Sequence, residues 1–429
     1  MHRLTNVVRD YPWGSSTAIA ELFGREPGGA PEAELWIGAH PDSPSTTAGP
    51  DGSPIGLDEL IAADPEGTLG REAAERFGRL PFLAKVLAAG APLSLQVHPS
   101  REQARSGFAA EEAAGVGRAA PDRNYRDDNH KPEMIFALTP FVALCGFREA
   151  AESAGLFERL AAAVARGVGS GPAGGGDAGA AADTARRAAS ALRAGDLRSA
   201  FTTLLEGGPG VVALVAAAAA AVEADPALAA SDPGLAELPA LAAHHAGDPG
   251  VVVSLLLNHV SLEPGQAVYL PAGNVHAYLR GLGIEVMASS DNVLRGGLTG
   301  KHVDLPELLA TVEFRALPVP HLAAEATGLG QELYRPPFEE FQLQRIRLAG
   351  NGDGAGSDAG DGMAGGDVPV AQNGPVVVVC VRGELLLDSP RGDERLRSGD
   401  AVFVGAGESP VMAKRMGAAE AVAFAVTLP

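Results

Sequence analysis

Gly265-Gln266-Ala267-Val268-Tyr269-Leu270-Pro271-Ala272-Gly273-Asn274-Val275-His276 reads as a short apolar strand, a turn built on Pro271 and Gly273, and a second strand that opens on a histidine. The spacing is a glycine, five residues, Pro-x-Gly, two residues and His. Several positions must agree at once, which makes the pattern specific for a strand–turn–strand unit. Working outward, short β-prone runs lie on both sides: Glu34–Ile37, Leu80–Ala88, Leu93–Val97, Met134–Leu138 and Val251–Leu257 before it, Val268–Leu270 within it and Ile284–Met287 after it. Runs of this length, broken by Pro and Gly, predict an antiparallel sheet fold with loops and a few helices.

Two stretches interrupt the β pattern. From Glu149 to about Asp248 alanine dominates, and Leu156, Leu160 and Val164 recur every four residues, as on an amphipathic helix. This is a helical insertion. Within it, Gly167–Ala180 is of low complexity and is expected to be a mobile loop. The Gly/Asp-rich tract Gly350–Asp367 is expected to be disordered. Strands return at Val376–Val381, Glu384–Leu387 and Ala401–Val404. The longest apolar run, Val211–Val222, falls short of the ~20 residues of a membrane span and reads as a helix packed in protein.

Composition excludes some partners. A formal net charge of −20 over 429 residues argues against nucleic acid, whose phosphates need a basic surface. It leaves room for a small phosphorylated ligand held by a local group of Lys and Arg. Cys145 and Cys380 are far apart and form no CxxC, so no disulfide framework is expected. Met1–Pro12 lacks the apolar core of a signal peptide. A cytoplasmic protein without membrane contact, monomeric or weakly associating, is expected.

Three polar clusters stand out. Ser94, Gln96 and His98 alternate with Leu95 and Val97, so on a strand they share one face. They point at a ligand, or at solvent. Lys131 and Glu133 share a face in Asn129-His130-Lys131-Pro132-Glu133, as a surface ion pair or as part of a metal site. His276 follows the turn quoted above. Gln96, His98, Glu133 and His276 together offer two imidazoles, a carboxylate and an amide oxygen, a donor set suited to one Zn²⁺ with a position left open. Glu285 and Lys85 are lone charges in apolar runs. Burial raises a carboxyl pKa and suits Glu285 to proton transfer; the alternative is an ion pair with Arg295 or Lys301. Lys85 needs a partner, either an anionic ligand or a nearby Asp or Glu.

The segment Gly265–His276 resembles the second signature motif of cupins, where the turn residues aim the histidine at a metal inside a small β-barrel. It departs at Arg280, where many cupins carry asparagine. An echo occurs at Gly399, five residues, Gly405-Ala406-Gly407, two residues, Pro410, with proline in place of the ligand. The fold expected is therefore mainly β: two cupin-like jelly rolls with an α-helical insertion, the second jelly roll metal-free. The divisions are 1–148 and 249–320 for the catalytic cupin, 149–248 for the insertion and 321–429 for the C-terminal jelly roll.

Tyr11-Pro12-Trp13-Gly14, Glu34-Leu35-Trp36-Ile37-Gly38, Gln96-Val97-His98-Pro99, Asn129-His130-Lys131-Pro132-Glu133, Pro271–Tyr278 and Asp291–Lys301 are similar to the type I mannose-6-phosphate isomerase family, in the family's order. The resemblance covers most of residues 1–148 and 251–310. It implies a zinc held by Gln96, His98, Glu133 and His276, a catalytic arginine at Arg295, and interconversion of mannose 6-phosphate and fructose 6-phosphate through an enediol. Glu285, Lys131 and His130 are the candidate proton carriers, unranked. Ser94, Lys85 and Lys301 are the candidates for the substrate phosphate. Two rivals remain at this point. One is an Fe²⁺ dioxygenase using His98, Glu133 and His276, against which Gln96 and the Arg295–Lys301 segment argue. The other is a sugar-phosphate-binding cupin without activity.

Overall fold

One strand, His276–Ala288, belongs to two layers. In the computed structural model, which describes residues 1–167, 175–350 and 367–429, its first residues pair with Phe141–Phe147 and with Gln96, and its second half pairs with Phe82–Ala89 and Glu133–Ala137. The crossing is made by a bulge between Tyr278 and Arg280, followed by Gly281 at φ +127°. A Cβ on Gly281 would lie 2.6 Å from the Phe141 ring, so no side chain fits the bend. The extra residue also flips the face of everything beyond it. His276 and Tyr278 point into the barrel, and so do Glu285 and Met287, an odd number of residues further on.

The layers stack in order. The helical insertion packs on the outer face of the small sheet, with Val142, Leu144, Ala277 and Leu279 in the joint core. The barrel interior is filled by Phe141, Ala143, Ile135, Leu87, Val260 and Tyr278. The other face of the large sheet, through Ala84, Val86, Phe136, Ile284 and Val286, shares a core with the C-terminal seven-stranded sheet through Tyr334, Phe341, Leu343, Val379 and Phe424. That sheet in turn packs on a four-stranded one. The architecture is two cupin-like jelly rolls with a helical insertion.

Several sequence expectations shift. Val251–Leu257 was expected to be a strand, but Gly250–Val253 is helical and Ser254–Leu256 is a 3₁₀ turn; the strand is Leu257–Leu262. An apolar run buried on all sides satisfies either geometry, and here it plugs the junction between helices and barrel. Part of the expected loop Gly167–Ala180 is helix, since one helix ends at Gly167 and another spans Gly175–Arg193; 168–174 lie outside the described residues, as does nearly all of the Gly/Asp-rich tract. The strand His2–Leu4 pairs with Ala401–Val404, so the first residues join the C-terminal sheet rather than the first jelly roll. The echo region folds as expected from its spacing: strand Ala401–Val404, a 3₁₀ turn Ala406–Glu408, and Pro410 at the turn's end.

The insertion is ordered by its own sequence. Leu156, Leu160 and Val164 are buried along Ala150–Gly167. Asp225 and Asp232 cap helices that begin with Pro226 and Pro233, each Asp satisfying amide groups that the first turn leaves free. Asp232 also binds Arg148 at 3.0 Å. Val211, Leu214, Val215, Ala218 and Val222 bury one side of Pro209–Ala224. Among the described residues no single helix is long and apolar enough to cross a membrane; one pair, Leu197–Leu205 with Pro209–Ala224, reaches that length only together and is bent by 94°.

Glu237 joins the insertion to the barrel. It takes both Arg280 terminal nitrogens at 2.7 Å and lies 3.2 Å from His259. Arg280, where the cupin pattern has asparagine, is thus a tie to the insertion, and His259 is paired rather than exposed. Burial works to raise the Glu237 pKa, but His259 and Arg280 outweigh it and bring it down to about 2. A carboxyl depressed from 4.5 contributes stability that is complete above pH 4.5 and is lost as pH falls towards 2. Glu237→Gln should therefore be less stable than wild type at neutral pH, and urea midpoints should converge as the pH is lowered through this window. A gap that stays constant with pH would assign Glu237 to packing alone.

Candidate metal centre

Four strands bring the donors together. Gln96 lies directly across from His276 on one side and Arg295 on the other. Glu133 opens the strand Glu133–Ala137 and faces Met287 in the neighbouring strand. His98 follows Gln96-Val97, where the carbonyl of Pro-x-Gly's partner segment is fixed by the Gly273 amide bonding to the His98 carbonyl at 2.9 Å. His98 and Glu133 are 1% exposed and His276 is fully buried.

The histidine tautomers follow from their neighbours. His98 Nδ1 lies 2.7 Å from the Asn292 carbonyl, and His276 Nδ1 lies 2.9 Å from the Asn274 carbonyl. A carbonyl only accepts, so each Nδ1 carries the proton and each neutral ring turns a lone pair outward at Nε2. Both Nε2 atoms face Glu133: His98 at 3.3 Å from Oε1, His276 at 3.2 Å from Oε2. Burial brings the His98 pKa down to about 4 against the opposing pull of Glu133. Burial also works to raise the Glu133 pKa, but Lys131 and then His98 outweigh it and hold the carboxyl well below its ordinary range. In their neutral forms both rings thus turn a lone pair towards an ionised carboxylate. His98 Nε2 and Glu133 Oε2 have no hydrogen-bond partner. Buried acceptors arranged this way need a cation between them. The Gln96 amide nitrogen lies 3.2 Å from His276 Nε2, which places at the rim a side chain whose amide oxygen is a candidate fourth ligand. Two imidazoles, a carboxylate and an amide fit Zn²⁺. Each imidazole is oriented by a backbone carbonyl, as metal-bound histidines usually are.

The remaining sequence candidates separate into three places. Lys131 stands at the centre, its ammonium 3.1 Å from Glu133 Oε1. His130 turns the other way, to Glu340 at 2.7 Å. Lys85 and Glu285 sit opposite each other in the barrel interior and bond at 2.9 Å; Glu34 is the second partner of Lys85 at 3.4 Å, and Trp36 lies under the ammonium. Of the two partners left open for Lys85, the structure supplies carboxylates, and Glu285 pairs with Lys85 rather than with Arg295 or Lys301. Burial raises the Glu285 pKa, with Lys85 opposing and Glu133 and Glu34 adding to the rise. Ser94 precedes the short strand Gln96–Val97, and among the described residues its hydroxyl has no partner.

Arg295 is half-buried and, among the described residues, has no carboxylate partner. Burial, then repulsion by Arg126, lowers its pKa, and burial, then Arg295 and Arg126, lowers that of Lys301. Among the described residues these three cations have no carboxylate partner, in a protein of net charge −20. Their loop is held tightly. Asp248 accepts from the Leu298 and Thr299 amides, Gly297 at φ +122° packs on Gly250, and Leu298 is the one non-glycine residue with positive φ among the described residues. Sequence reasoning missed Arg126, Asn292, Glu34 and Glu340. Asn292 accepts from the Arg126 amide at 2.7 Å and donates to the Asp127 and Asn129 carbonyls at 2.8 Å, so one buried side chain locks both loops. Its signal was its place beside Arg295 in Asp291–Lys301. A second His/Asp group, His40, Asp42 and Asp291, already has Arg118 across its two carboxylates.

A family model described as "Phosphomannose isomerase type I, catalytic domain" matches residues 1–150. The mannose-6-phosphate isomerase of Escherichia coli (strain K12) is 37% identical over 426 residues, covering 97% of this chain and 98% of its own. A solved point mutant of phosphomannose isomerase from Salmonella typhimurium is similar with a TM-score of 0.84 and 35% identity, covering 100% of this chain and 99% of that one. A mannose 6-phosphate isomerase structure described as holo and zinc-bound has a TM-score of 0.82 at 35% identity, covering 99% and 98%.

His276→Ala should leave the folded protein without stoichiometric zinc, because it removes one of the two lone pairs facing Glu133. Metal analysis of the purified, folded variant decides the point. Full zinc occupancy would remove His276 from the ligand set.

Proposed function

The chain belongs to the type I mannose-6-phosphate isomerases, and from that premise we propose which of its residues carry the interconversion of mannose 6-phosphate and fructose 6-phosphate. Zinc is the cofactor, and Gln96, His98, Glu133 and His276 hold it. The observation that carries this assignment is the ionised, buried Glu133 faced by two imidazole lone pairs. Bound zinc supplies a Lewis acid for the sugar oxygens. The reaction moves a proton between C1 and C2 through an enediol. Arg295 cannot give up its proton, so it stabilises the developing oxyanion. Its burial without a carboxylate partner keeps that charge undiluted.

The proton carriers are drawn from Lys131, His130 and Glu285. Lys131 is supported by its contact with Glu133, and Glu285 by a raised pKa in a buried pair with Lys85. Lys85 serves this pair and leaves the phosphate to Ser94, Lys301 and the added Arg126. An iron dioxygenase would need only the two histidines and Glu133, leaving Gln96 and the cation cluster without a task. We place the enzyme in the cytoplasm as a monomer or weak homo-oligomer; two free, buried cysteines support a reducing compartment. The sugar phosphate is its partner, and the net charge of −20 speaks against nucleic acid.

A coupled isomerase assay tests the reaction. Chelation should abolish activity and added zinc should restore it, whereas activity unaffected by complete metal removal would refute zinc dependence.

Arg126→Met and Lys301→Met should each lower kcat/KM for mannose 6-phosphate by about 10-fold or more, since one charge-assisted hydrogen bond contributes roughly 1.5–3 kcal/mol. The residual rate on free mannose should hardly change, because it offers no phosphate to these cations. Equal losses on both sugars would move the two residues from the phosphate to the chemistry or the fold.

A further inference from the structure

The C-terminal jelly roll lacks a metal-ligand histidine, yet it sends one carboxylate into the neighbourhood of the active site. Glu340, 1% exposed, precedes the strand Gln342–Leu348 of the seven-stranded sheet. It is anchored there by Phe341 in the core shared by the two jelly rolls, while Phe338 packs on Tyr269 of the first. Its Oε1 lies 2.7 Å from His130 Nε2 and also accepts from Arg101. Burial works to raise the Glu340 pKa, but His130 and Arg101 outweigh it, so the group is a carboxylate at neutral pH.

A carboxylate oxygen this close to a ring nitrogen requires a proton between them, and the carboxylate has none to give. The proton sits on His130 Nε2. The Arg101 nitrogen, 2.9 Å from the same Nε2, is then a second donor converging on the shared oxygen, not a donor to the ring. His130 Nδ1 has no partner among the described residues. In neutral His130 the lone pair is therefore at Nδ1, on the side turned away from Glu340. The residue after His130 is Lys131, in contact with the zinc ligand Glu133.

We propose that Glu340 is a positioning residue by which the metal-free C-terminal jelly roll fixes His130 as its Nε2–H tautomer and leaves Nδ1 free to take or give a proton in sugar isomerisation. The inference rests on the proposed function for its catalytic half and on geometry alone for its tautomer half. An ionised acceptor that sets a histidine tautomer without touching substrate is a familiar arrangement in other enzymes.

The experiment reads the two halves separately. Histidine-¹⁵N-labelled, zinc-loaded protein gives ring-nitrogen spectra in which the tautomers differ, with the His130 signal assigned by its loss in His130→Gln. Neutral His130 in wild type should show the proton on Nε2; a proton on Nδ1 overturns the proposal whatever any variant does. Glu340→Gln offers an amide of the same shape whose NH₂ can donate to Nε2. It should shift His130 towards the Nδ1–H form and lower kcat by about 10², the lower end of a general acid–base contribution, with KM and zinc content little changed. Glu340→Asp, which keeps the charge, should recover part of the loss. Unchanged kcat in Glu340→Gln with a changed tautomer would overturn the catalytic half. A folded wild type with the expected tautomer but no isomerase activity would instead sink the functional reading and leave the positioning intact.

Discussion

A neutral imidazole whose Nδ1 proton is bound to a backbone carbonyl cannot also donate to a carboxylate at its other nitrogen. Two such imidazoles face Glu133 here, and the rest of the molecule can be seen as what holds this unfavourable meeting in place. Left to itself, a carboxylate between two lone pairs would rotate away or take up a proton. It can do neither easily, because Glu133 starts a strand paired on both sides, and His276 starts the strand that ties the two layers of the barrel. Packing on both faces resists any relaxation that would separate them. The fold supplies rigidity, and a cation supplies the missing attraction.

Charge is distributed with the same economy. Most cations in this acidic chain are matched: Lys85 between Glu34 and Glu285, Arg280 on Glu237, Arg148 on Asp232. Among the described residues Arg126, Arg295 and Lys301 are not, and they stand on loops locked by Asn292 and Asp248. Local positive potential inside a negative surface draws a small dianion to one place and repels it elsewhere. The helical insertion contributes to this through Asp248, which accepts from the Leu298 and Thr299 amides.

The sequence made the donor set legible because strand alternation and turn chemistry act locally. Ser94-x-Gln96-x-His98 and the Pro271–Gly273 turn needed no knowledge of the rest of the chain. The partners of Lys85 and Glu285 were not legible, because pairing depends on the register of strands 200 residues apart. The bulge at Tyr278–Arg280 hid more, since it reverses the face of Glu285 relative to His276 and defeats any count of alternating positions from the motif onward. Val251–Leu256 was misjudged for a different reason: fully buried apolar residues carry no periodicity. Glu340 gave no signal at all, being a lone Glu beside an apolar strand whose meaning depends on how two jelly rolls dock.

The pairing of His2–Leu4 with Ala401–Val404 sets a constraint on synthesis. In the seven-stranded sheet one strand must wait for a partner made ~400 residues later. At roughly 5–20 residues per second the intervening ~400 residues take on the order of 20–80 s to emerge from a ribosome. From the synthesis of Ile284 and Val286 until Val379 and Phe424 follow, on the order of 5–30 s later at that rate, the apolar face they form with Phe136 lacks its cover. Exposed faces and unpaired strands of this kind are what chaperones bind. A nascent chain of this topology therefore exposes that face until the strands carrying Val379 and Phe424 are made, and loss of those strands would remove the shelter of the catalytic jelly roll as well.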